Sequence, residues 1–87
     1  MKLVFHRNFE TQFRKLRRNK QARVKERLAL FLEDEFGPVL NNHPLRGKYE
    51  GYRSINIMGD LRAIYKFQRP DLCIFVAVGT HHKLYQS

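Results

Sequence analysis

The stretch from Gly51 to Phe67, GYRSINIMGDLRAIYKF, constrains the fold more than any other part of the chain. Apolar and polar residues alternate on both sides of Met58-Gly59-Asp60, the pattern of a β-hairpin with one buried face. Strand side chains alternate between faces, so the register decides which residues go inside. A two-residue Gly59-Asp60 loop would set Ile57 against Arg62 and mix polarity on both faces. An odd loop, simplest Met58-Gly59-Asp60, sets Ile57 against Leu61 and Ile55 against Ala63. One face then carries Ile55, Ile57, Leu61, Ala63, Tyr65 and Phe67, and the other Ser54, Asn56, Arg62, Ile64 and Lys66. The expected loop is therefore odd. It gathers Asn56, Arg62 and Lys66 on the polar face, with Asp60 at the tip.

The flanking sequence supplies what covers the apolar face. Lys2 to His6 reads as a short strand. Asn8 is the expected cap of a helix whose stripe is Phe9, Phe13 and Leu16, and Asn19 that of a second carrying Val24, Leu28, Phe31, Leu32 and Phe36. Gly37-Pro38 stops the second helix. Residues 39–50 read as a loop anchored in the core by Leu45. Gln68-Arg69-Pro70-Asp71 is a turn, Leu72 to Val78 a strand apolar on both faces, and His81 to Tyr85 a single helical turn. The expected fold is one α+β domain over residues 1–87. Its order is β-α-α-β-β-β, with a two-helix hairpin on a largely antiparallel four-stranded sheet.

Charge narrows the function. Seventeen Lys and Arg against eight Asp and Glu give a formal net charge of +9, which favours polyanionic partners, nucleic acid foremost. The excess is concentrated early, where Arg14, Lys15, Arg17, Arg18, Lys20 and Arg23 make an expected RNA-binding surface. The one cysteine, Cys73, has apolar neighbours and no partner for an internal disulfide, which fits a reducing compartment. No signal-peptide pattern and no run of the ~20 apolar residues needed to span a membrane is visible. The expectation is a cytoplasmic protein without membrane contact.

Nucleotide-binding glycine loops, HExxH and paired CxxC motifs are absent, so the usual signals for NTP hydrolysis, dinucleotide redox and zinc chemistry are missing. Four histidines remain. His6 and His82 read as structural or exposed, whereas His43 precedes the hairpin in a loop and His81 follows the last strand. Metal-free RNA cleavage needs a base for the ribose 2′-hydroxyl, an acid for the leaving 5′-oxygen and cations for the phosphorane. His43, Asp60 and His81 supply the first two types of group, and Arg62 and Lys66 the third. Tyr52 or Tyr85 can hold an unstacked base.

The strings His43-Pro44-Leu45-Arg46-Gly47, Gly51-Tyr52-Arg53, Gly59-Asp60-Leu61-Arg62 with Tyr65-Lys66, and Val78-Gly79-Thr80-His81 with Leu84-Tyr85 together resemble the RelE/ParE toxin superfamily. The likeness is nearest to its RelE/StbE and YafQ-like branch. The resemblance implies a type II toxin that cuts mRNA on the ribosome without metal or cofactor, is monomeric alone and is neutralised by an acidic antitoxin. By position it implies catalytic roles for His43, Asp60, Arg62 and His81. Asn56, Lys66, Tyr85 and Arg53 then contact substrate. Asn56 stands where YafQ-like toxins carry a further histidine, and asparagine hydrogen-bonds but does not shuttle protons at neutral pH. The alternatives are a ParE-like gyrase inhibitor and a non-catalytic RNA-binding or regulatory relative.

Overall fold

A computed structural model describes residues 1–85. The chain runs β1 (Lys2–Phe5), α1 (Arg7–Arg14), α2 (Arg18–Glu33), β2 (His43–Pro44), β3 (Arg53–Met58), β4 (Leu61–Arg69), β5 (Leu72–Thr80) and α3 (His81–Leu84). Single 3₁₀ turns at Pro38–Leu40 and Gly47–Tyr49 flank β2. The sheet has five strands rather than four, in the order β1-β5-β4-β3-β2, and it is mixed, because β1 lies parallel to β5. The added strand, β2, is two residues long and contains Pro44, which keeps this sheet edge short and poor in donors.

The hairpin meets the burial requirement by another route than an odd loop. Ile55 pairs with Ala63 and Asn56 with Arg62, but Met58 pairs with Leu61, so the turn is the two-residue Gly59-Asp60. Ile57 is the extra residue of a β-bulge, which shifts the register by one and leaves both Ile57 and Leu61 buried. Gly59 takes a φ of 52°, a left-handed conformation that glycine adopts without strain.

Both helices cover one face. Phe9, Val24 and Phe31 enter the main core beside Ile55, Ile57, Tyr65 and Phe75. Phe31 meets Tyr65 and Phe75 edge-on at 4.8 and 5.3 Å, a favourable quadrupole arrangement. Leu32 and Phe36, expected in that stripe, are exposed: Leu32 is still helical but sits about 100° round from the buried Phe31, and Phe36 lies beyond the helix end at Glu33. The caps also differ from expectation. His6 caps α1, its Nδ1 accepting from the Asn8 amide, while Asn8 instead donates its side-chain amide to the Val76 carbonyl. Arg17, not Asn19, caps α2, and without a side-chain hydrogen bond. The acidic end of α2 has a local role for Asp34, whose Oδ1 accepts from the Phe36 amide and tightens the chain reversal.

The opposite face of the sheet holds a second, smaller cluster of Leu45, Ile64, Ala77 and Leu84. Leu45 belongs here, and the main core takes Leu40 from the same connection. The sheet is thus covered on both sides, which accounts for the nearly unbroken apolar run of β5.

Candidate active site

Cross-strand pairing places the candidate residues in rows. His43 pairs with Ser54, Ser54 with Ile64 and Ile64 with Ala77, so these four share the face away from the helices. The next row is Asn56, Arg62 and Gly79. A side chain at Gly79 would meet Leu84 at 3.3 Å, and its absence lets α3 fold back over the end of the sheet. Thr80 Oγ1 accepts from the Lys83 amide and starts that turn, while the His81 amide donates to the Asp60 carbonyl at 2.9 Å. The hairpin tip and the last turn of the chain are tied together there.

This tie builds a corner. The Arg62 guanidinium bends back to the Gly59 carbonyl at 2.8 Å, holding its charge at the hairpin tip. The His81 and Tyr85 rings lie 4.6 Å apart. Burial pushes the Tyr85 phenol up in pKa, the neighbouring Tyr49 adds to the rise, and the positive charge of Arg62 partly opposes it. Tyr85 stands edge-on to Tyr49, and Tyr49 to Tyr52, so three tyrosines form a continuous aromatic wall. The Asp60 carboxylate at the tip is exposed and makes no hydrogen bond or ion pair among the described residues.

Asn56, Asp60, Arg62, His81 and Tyr85 are therefore together. His43 shares their face but stands on the edge strand, about 10 Å of backbone from β4 across two strand spacings. Its Nδ1 lies 2.9 Å from the Asn41 carbonyl. A carbonyl only accepts, so Nδ1 is the donor in this contact, and in the neutral ring that leaves the lone pair on Nε2. Asn41 has a φ of 44°, a left-handed conformation that asparagine tolerates better than most residues. Beneath the patch, Ser54 Oγ and Asn56 Oδ1 are buried without a hydrogen-bond partner among the described residues.

Three expected groups lie elsewhere. Lys66 is four residues along β4 from Arg62, with its ammonium 5.0 Å from the centre of the Tyr52 ring. Arg53 is on the helix side, bonded through Nε to Asn42 Oδ1 at 2.7 Å and stacked over Phe36. It is a structural clasp there, not part of the corner. The early cations do not sit on one helix: Arg14 ends α1, Lys15 and Arg17 lie in the connection, and Arg18, Lys20 and Arg23 lie on α2. Tyr49 joins the aromatic wall without any sequence signal beyond its type, because only tertiary folding brings it to Tyr85.

The family model described as the bacterial YafQ toxin of type II toxin-antitoxin systems matches residues 1–86. The chain belongs to the YafQ toxin family. Among solved structures, YafQ from Escherichia coli strain BL21(DE3) superposes with a TM-score of 0.82 at 21% identity, covering 98% of both chains. The toxin of the E. coli DinJ-YafQ complex matches at 26% identity and TM-score 0.69, again over 98% of both chains. A copper-bound mutant toxin from Helicobacter pylori matches at 27% identity and TM-score 0.76, over 97% of this chain and 98% of that one. No curated protein sequence matches the chain. In this YafQ-family toxin, no three His, Cys, Asp or Glu side chains converge on a common point among the described residues. No described helix is long and apolar enough to cross a membrane.

Proposed function

We propose that this YafQ-family toxin is a ribosome-dependent endoribonuclease that cleaves mRNA and arrests translation in the cytoplasm. The observation that carries the reading is the corner itself, where the Asp60–His81 tie brings a carboxylate, an imidazole, the Arg62 guanidinium and the Tyr85 ring onto one end of the sheet.

The chemistry is internal transfer. A base takes the 2′-hydroxyl proton, the 2′-oxygen forms a bond to the adjacent phosphorus, and the bond to the 5′-oxygen breaks as an acid protonates it. The product is a 2′,3′-cyclic phosphate that opens to a 3′-phosphate. Asp60 or His81 serves as base, and His81 is the better acid. Arg62 stabilises the charge on the phosphorane oxygens. Asn56 donates its amide to phosphate or ribose and takes no proton. His43 approaches from the edge strand, where Nε2 accepts a proton or, once protonated, donates to a phosphate oxygen. Tyr85 stacks a base, with Tyr49 behind it.

An acidic antitoxin segment is the expected partner, supported by the DinJ complex of E. coli YafQ and by the net charge of +9. The test is mRNA cleavage in a reconstituted translating system. His81→Ala is expected to lose about 10²- to 10⁴-fold in rate with an unchanged circular dichroism spectrum. Wild-type cleavage by that variant would remove His81 from the chemistry. Inhibition of DNA supercoiling without mRNA cleavage by the wild type would replace the nuclease reading with gyrase inhibition.

A further inference from the structure

We propose that the cavity between the α1–α2 connection and the end of β5 binds a backbone phosphate of the RNA strand next to the bond being cut. The identity of that strand rests on the nuclease reading; the anion site does not. The cavity measures about 390 Å³, within the ~300–1,000 Å³ usual for ligand pockets. Lys15, Arg17, Lys20 and Lys83 line it, and no acidic residue does. The ion pairs Arg23–Glu26, Arg27–Glu26 and Arg69–Asp71 all lie elsewhere. Four cationic residues that line one hollow, with no acidic side chain among its described lining, repel one another, and an anion in the hollow relieves them all.

Two further features suit a phosphate. Gln12, on the cavity wall, accepts the Val78 amide on its Oε1 at 2.8 Å, which leaves its NH₂ as a donor without a protein partner among the described residues. The N-cap Arg17 and Lys20 in the first turn of α2 both line the cavity; this helix end has no side-chain cap and its first turn no acid, so the positive end of the helix dipole is not compensated there.

Position selects the source of the phosphate. Thr80 on the cavity wall lies between Gly79, which pairs with Arg62, and His81, whose amide is bonded to Asp60. The cavity is therefore the helix-side flank of the catalytic corner. A strand that leaves the corner round the end of β5 enters it, where Lys83 of α3 lines the cavity.

A short 2′-O-methyl RNA, which cannot be cut by 2′-hydroxyl attack, reports binding apart from catalysis. Lys20→Glu and Lys83→Glu are each expected to weaken its binding about tenfold or more at low salt. Arg69→Glu, the same charge change at the remote β4–β5 turn, is expected to cost less than threefold. Inorganic phosphate is expected to shift the Gln12 side-chain amide and the Thr80 backbone amide in ¹⁵N spectra. Equal losses in all three variants would mean a net-charge effect only, and would overturn the site, as would no loss in any. Unchanged oligonucleotide binding by Lys83→Glu with weakened ribosome binding would assign the cavity to ribosomal RNA and overturn its assignment to the cut strand. Absence of mRNA cleavage by the wild type, with the binding losses intact, would sink the nuclease reading and leave the phosphate site standing.

Discussion

Cys73 lies in the main core, fully shielded from solvent, and burial pushes its thiol from an ordinary 9.0 up to about 12, with Glu35 adding to the rise. A thiol that binds its proton more tightly in the folded chain stabilises the fold below the unfolded value. That contribution is lost as pH rises from about 9 towards about 12. Tyr65, raised chiefly by burial, acts in the same direction. Folded protein is therefore expected to resist iodoacetamide at pH 8 and to react only as fast as it unfolds. Cys73→Ala should cost about 1 kcal/mol at neutral pH and flatten the loss of stability above pH 9, as followed by denaturant titrations across that range. Rapid alkylation of native protein would contradict this burial. The apolar neighbours Leu72 and Ile74 already pointed to it.

At the scale of elements, Asn42 joins parts that are distant in sequence. Its amide donates to the Glu35 carbonyl at 2.8 Å and to the Tyr65 hydroxyl at 2.6 Å, and its Oδ1 accepts from Arg53. The clasp fixes the connection that leads into β2 and so places His43 beside Ser54. Asn42→Ala removes all three bonds and strands a polar hydroxyl against the core. It is expected to cost about 2–3 kcal/mol, with Tm lowered by roughly 10 °C or more. Tyr65→Phe, which removes the hydroxyl with its bond, should cost only about 1 kcal/mol, and calorimetry of the two variants compares them. Residues 39–50 looked like a loop because a two-residue strand has no periodicity to read, and its existence depends on β3 offering an edge. The hairpin faces were legible, since Ile55, Ala63 and Tyr65 alternate with Ser54, Arg62 and Ile64. The bulge was not, because an odd loop and an even turn with one extra strand residue satisfy the same parity.

The whole molecule carries its charge asymmetrically. The cavity cations lie at the helix side of the sheet's end, and Arg62 and Lys66 on the other face. About six phosphate contacts to a single strand give a slope near −4 in log affinity against log salt. Binding of 2′-O-methyl RNA is then expected to fall by roughly 10²–10³ between 50 and 200 mM salt, measured by fluorescence anisotropy. A slope near zero would show that cationic contacts do not drive the association. The mixed sheet also belongs to this scale. Pairing of β1 alongside β5 joins residues about 70 positions apart, and no local pattern states whether they run parallel.

Local chemistry in the sequence determined the burial faces of the hairpin, the two helical stripes, the basic surface and the side-chain types able to move protons. Each depends on periodicity or composition within a few residues, which the chain carries wherever it folds. Tertiary structure alone decided that the Asp60 carbonyl receives the His81 amide, that Arg53 faces the helices, and that Tyr49 stands behind Tyr85. Those are meetings between remote segments, and their geometry is set by strand order and by the closing of α3 over Gly79.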